Sequence, residues 1–69
     1  MMSAQEFLRE AVRLHQAGEL ERAASLYEKV LIDLPDEPDP HHLLGIIAQQ
    51  CGRPIEAIDR IKKAISLRP

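Results

Sequence analysis

Cysteine is almost missing from this 69-residue chain: Cys51 stands alone, so no disulfide can staple the fold internally. A lone thiol suits a reducing compartment. Tryptophan is absent, and Phe7 and Tyr27 are the only aromatic residues. With 45% hydrophobic residues overall, the core has to be built from Leu, Ile, Val and Ala. The three glycines, Gly18, Gly45 and Gly52, are too scattered for a phosphate-cradling loop. Positive charge is not in excess either. The formal net charge is -2 and the sequence pI about 5.8, which argues against a nucleic-acid partner. No stretch approaches the roughly 20 apolar residues that span a bilayer. The N-terminal MMSAQEFLREAV carries Glu6 and Glu10 and no apolar run, so it does not read as a secretion signal. Composition thus predicts a soluble module of the cytoplasm, a single domain over 1–69, small enough that one core is only marginally stabilising.

What is present is a period. Shifting the chain by 34 positions sets Gln16 on Gln50, Gly18 on Gly52, Ala23 on Ala57, Lys29 on Lys63 and Pro35 on Pro69. Conservative matches join them: Ala11 with Gly45, Val12 with Ile46, Tyr27 with Ile61, Leu31 with Ile65. Self-similarity at a fixed period of this length marks a stacked repeat. It divides the chain into units 4–37 and 38–69.

Local signals agree with the period. Ser3 and Glu6 form a capping box ahead of a helix over about 4–17, with Phe7, Ala11 and Leu14 at helical spacing. Gly18 stops it, since glycine enters the left-handed region without penalty. Leu20, Ala23, Ala24, Tyr27, Leu31 and Leu34 trace one face of a second helix over 20–34, which Pro35 ends. Asp39-Pro40 reads as the N-cap and first position of a third helix over 40–51, with Leu44, Ile47, Ala48 and Cys51 inward. Gly52 stops that helix, Pro54 opens a fourth over 54–67, and Pro69 closes the chain. Short connections force antiparallel neighbours, and no period-2 alternation suggests a strand.

These residues resemble the tetratricopeptide repeat family, over nearly the whole chain. Phe7 and Ala11 match the large and small pair of its first helix, and Leu44-Gly45 matches its Leu-Gly pair. Ala23 and Ala57 match the alanine where paired helices cross. Tyr27, replaced by Ile61, matches the plugging aromatic, and Pro35 and Pro69 the terminating proline. Ala64 matches a small packing residue from which Val30 departs. Glu10 replaces an expected leucine, as at a solvent-facing end, and His41 stands where a large residue is usual. The segments His42–Ala48 and Ala64–Pro69 are similar to leading repeats of bacterial multi-repeat proteins, some of which carry a transferase domain downstream.

The resemblance implies an all-α fold, a right-handed α-solenoid of two antiparallel helix-turn-helix hairpins, and a protein or peptide as partner rather than a catalysed reaction. The family's concave groove maps onto Gln5, Leu8, Val12 and His15, with His42, Ile46, Gln49 and Gln50. Spacing agrees, because Leu8, Val12 and His15 share one helical face, as do His42, Ile46 and Gln49. The carboxylate clamp of some members is not expected, since Leu8, Val12 and Leu43 replace its basic and amide side chains. A pentatricopeptide RNA binder is the remote alternative, disfavoured by the 34-residue period and the acidic balance.

Sharper chemistry is disfavoured on spacing. His41 and His42 point about 100° apart on a helix and no HxxxH or CxxC occurs, so they read as polar residues of a helix start and no metal is expected. Cys51 reads as a buried structural thiol. Asp33, Asp36, Glu37 and Asp39 read as solvated turn and cap, and Arg60, Lys62, Lys63 and Arg68 as a basic helix end. No cofactor or catalytic residue is predicted. Two hairpins are short of the usual minimum for such an array. The chain is therefore expected to be part of a longer array, or to self-associate through an edge of Ile58, Ile61 and Ile65 that stacks the two fourth helices. In that alternative it serves as a structural assembly unit.

Overall fold

The computed structural model describes residues 2–68; the closing Pro69 lies outside them. The described residues form four helices and no strand: α1 (Ala4–Gln16), α2 (Leu20–Asp33), α3 (Pro38–Gln50) and α4 (Pro54–Leu67). The fold is all-α. α1 packs on α2 and α3 on α4, and a smaller α2–α3 interface joins the two halves.

Helix ends follow the residues at them. The Ser3 side chain accepts from the Glu6 amide at 3.2 Å, and the Glu6 carboxylate accepts from the Ser3 amide at 3.0 Å, which completes the capping box. These bonds, the Ser3 amide first, hold the Glu6 carboxyl below the usual carboxylate range. At the other end of α1, Gly18 takes φ +82°. Its amide donates to the His15 carbonyl at 3.0 Å, and the Glu19 amide to that of Leu14 at 2.9 Å. This pair of bonds is a Schellman closure. The same closure recurs after α3, where Gly52 has φ +76°. There the Gly52 amide donates to Gln49 at 3.1 Å and that of Arg53 to Ala48 at 2.8 Å. Each of these four partners lies 34 positions beyond its counterpart. The bonds that open α2 and α4, Ala23 to Glu19 and Ala57 to Arg53, are both 3.0 Å and again correspond.

α3 starts earlier than the sequence suggests. Glu37, not Asp39, is the N-cap, and Pro38 takes the first helical position. Pro40 then falls inside the first turn, where no amide needs a helical partner. Both prolines fit, so the helix gains the two residues. The earlier start also fixes the phase of the histidines. His41 is 8% exposed rather than a surface residue. Its Nε2 lies 2.9 Å from the Pro35 carbonyl, which can only accept, so Nε2 carries the proton and donates.

Ala11, Leu14, Ala23, Tyr27, Leu44 and Ile47 form the buried cluster, flanked by half-buried Leu8, Val12, Leu20 and Leu31. The core is aliphatic except for Tyr27, the largest fully buried side chain. Phe7 stays half-buried, with the Lys29 ammonium 5.6 Å above its ring. In the second half the helices pack tightly at Gly45. A Cβ placed there would sit 2.8 Å from Ile61 Cγ1, 3.2 Å from the Ala57 carbonyl oxygen and 3.3 Å from Arg60 Cβ. A small residue at 45 and a small Ala57 opposite let α3 and α4 approach.

Candidate functional site

Cross-links between the halves show which helices are neighbours. Arg53 donates to Glu21 and Arg60 to Glu28, both at 2.8 Å. Glu21 and Glu28 are seven positions apart on the α2 side, and Arg53 and Arg60 are seven apart on the α4 side. The two rungs therefore make α2 and α4 parallel. Glu21 first, then Glu56, hold the Arg53 guanidinium more firmly charged. On the other side, His15 Nε2 and Gln50 Oε1 lie 2.9 Å apart and tie the end of α1 to the end of α3. The acceptor is an amide oxygen, so His15 Nε2 is the donor. His15 is held edge-on to the buried Tyr27 ring at 6.4 Å between centroids and 83° between planes. A side-chain hydrogen bond thus links the ends of α1 and α3 on one side and two ion pairs link α2 to α4 on the other, while the halves pack through α2 and α3.

The eight residues predicted to line one groove are not equivalent. Gln5, His42, Gln49 and Gln50 are exposed, and Ile46 and His15 are half-buried. Leu8 and Val12 pack against the core cluster, so much of their apolar surface is already used. The structure brings His15 and Gln50 together. His42 it sets beside α4 instead, in a hollow of about 240 Å³ lined also by Ile61, Ala64, Ile65 and Arg68. Gln5 and Leu8 border a smaller recess with Val30, Leu34 and Pro40.

The predicted edge divides as well. Ile58 and Ile65 are 53% and 67% exposed, but Ile61 is half-buried and turned against Gly45. Ile61 packs between α4 and α3 before it is part of any edge. Two of the four residues of the basic helix end make specific pairs: Arg60 serves Glu28, and Arg68 reaches Asp39 at 2.7 Å, and the last turn of α4 itself holds no basic residue. Asp39 thereby latches the start of α3 to the end of α4. Cys51 is half-buried, not buried, with its sulfur 3.9 Å from Glu21. Sequence reasoning missed the two Arg–Glu rungs. Their signal was an acid on α2 matched by an arginine the same distance further on, in both cases.

Among the described residues no group of three or more His, Cys, Asp and Glu is arranged to hold a metal ion, and no helix is long and apolar enough to cross a membrane. No family model matches the chain, and neither a known protein nor a solved structure matches it significantly.

Proposed function

We propose that the chain is a pair of tetratricopeptide-type hairpins, stacked as the beginning of a right-handed superhelix, and that it binds a segment of a partner protein in the cytoplasm along the side shared by α1 and α3. The observation that carries this reading is the His15–Gln50 bond, which joins the first helices of the two hairpins, with half-buried Ile46 and exposed Gln49 beside it. Recurrence of the glycine closures at 34 residues supports the repeat, and the parallel α2 and α4 support stacking by translation.

The chemistry of the open side selects the ligand class. Ile46 offers an aliphatic contact, while the Gln49 and Gln50 amides offer uncharged donors and acceptors. An extended peptide has the same alternation of side-chain and backbone polar groups, and an uncharged floor accepts it without a desolvated ion. Recognition is then by backbone amides and small apolar side chains, not by a terminal carboxylate. Panning a library of random peptides against the chain tests this. Enriched peptides bind the unaltered chain and lose binding to Ile46→Glu. Enriched peptides that bind Ile46→Glu equally well contradict the reading.

A further inference from the structure

The second hairpin leaves open a seat that is filled in the first. Leu8, Tyr27 and Leu31 join the cluster that α3 closes with Leu44 and Ile47, and Val30 beside them is fully buried. Their counterparts 34 positions on are His42, Ile61, Ala64 and Ile65. Those four line the 240 Å³ hollow between α3 and α4. The hollow continues onto a bare stripe along α4, where Ile55, Ile58 and Ile65 are 76%, 53% and 67% exposed. With Lys62 they fall at spacings of three, four and three, the pattern of a helix-to-helix seam.

The seat is shaped for a helix, and the chain's own charges say which one. α1 of another copy is a poor occupant. It carries Glu10 and Arg13 where α3 carries the seat-filling Leu44 and Ile47, and those two are ion-paired with each other at the surface. Burying that pair in an apolar hollow carries a desolvation penalty, so head-to-tail stacking is disfavoured. α4 of a second copy is a good occupant. Its charges are ordered, with Glu56 and Asp59 towards the N-terminus and Lys62 and Lys63 towards the C-terminus. Antiparallel pairing sets acid against base at both ends, and parallel pairing sets like against like.

We infer that two copies of the chain pair through α4, antiparallel, about a twofold axis near residue 60. Ile55 of one copy meets Ile65 of the other. Ile58 lies under the aliphatic stem of the other copy's Lys62, whose ammonium reaches Asp59. An isologous contact of this kind closes at two copies.

Sedimentation equilibrium of the full chain, from about 1 μM to about 1 mM, tests the pairing. The mass is expected to rise from one chain to two and stop there. Ile58→Glu and Ile65→Glu should each raise the dissociation constant at least about tenfold with the helical circular dichroism unchanged. If Ile65→Glu unfolds the chain, Ile58→Glu decides, because its position is open to solvent and outside the hollow. Lys62→Glu should weaken the pair, and Asp59→Lys with Lys62→Glu together should restore it. A single-chain mass throughout the range assigns the seat to some other helix and overturns the inference. So does assembly beyond two copies, a dimer indifferent to Ile58→Glu, or a charge exchange that restores nothing.

Discussion

Gly45 offers the sharpest test of the packing. Replacing glycine by alanine inside a helix ordinarily stabilises by about 1 kcal/mol. Here the new methyl would stand 2.8 Å from Ile61 Cγ1, 3.2 Å from the Ala57 carbonyl oxygen and 3.3 Å from Arg60 Cβ. Ile61 can turn away only in part, since it is half-buried and branched at Cβ. The other two contacts belong to the α4 backbone and to a Cβ, and yield only if the helix moves. Overpacking of this kind costs about 1–3 kcal/mol. The two effects leave Gly45→Ala less stable by about 1 kcal/mol, within a range of about 0–2. The assay is urea unfolding, with TMAO added for variants too weak to show a native baseline. A double-mutant cycle isolates the cause. In an Ile61→Ala background the first clash is gone, and Gly45→Ala should become neutral or stabilising. A Gly45→Ala variant that gains the full helix-propensity stabilisation in the unaltered chain, or whose effect is the same in both backgrounds, rules out the clash with Ile61.

The remaining predictions use the same assay. Gly18→Ala and Gly52→Ala meet no atom within 4 Å but hold φ of +82° and +76°, so each should lose about 1–2 kcal/mol, and equally, since the strain is purely backbone. Tyr27→Phe should be neutral or stabilise by about 1 kcal/mol, because the buried hydroxyl has no hydrogen-bond partner; a clear loss would reveal one. Burial also holds the Tyr27 hydroxyl protonated above its ordinary pKa, so stability should fall as pH rises past the tyrosine range, where only the unfolded chain ionises, and Tyr27→Phe should flatten that fall. Ser3→Ala should cost about 1 kcal/mol at neutral pH. The Glu6 carboxyl is depressed in the fold, so its contribution is present above the usual glutamate value and is lost as pH falls through the folded one; Ser3→Ala should remove that part of the acid dependence.

Much of the fold was legible because its boundaries are set by single residues. Gly18 and Gly52 each do at the backbone what their type predicts, and Ser3 with Glu6 caps as its spacing requires. α4 begins at Pro54 and ends at Leu67 as read. The start of α3 was ambiguous for a physical reason. Pro38 and Pro40 both satisfy a first turn, where amides have no helical partner, so proline chemistry alone cannot choose between them. His41 follows from that ambiguity: its burial depends on helix phase, and its partner, the Pro35 carbonyl, is supplied by the preceding loop. Site residues were harder still. Periodicity puts Leu8, Val12 and His15 on one face, but it carries no information on how closely α3 lies against that face. Leu8 and Val12 are packed on the core cluster, Ile46 is likewise half-buried, and Gln49 is the part left exposed.

The proposed peptide site runs along the side where α1 and α3 are linked. Amide chemical-shift mapping with a peptide enriched from the random library tests it most directly. Shifts are expected to concentrate at His15, Ile46, Gln49 and Gln50, with the amides of Ile58 and Ile65 unmoved. Shifts concentrated along Ile55, Ile58 and Ile65, with the α1–α3 side silent, would contradict it.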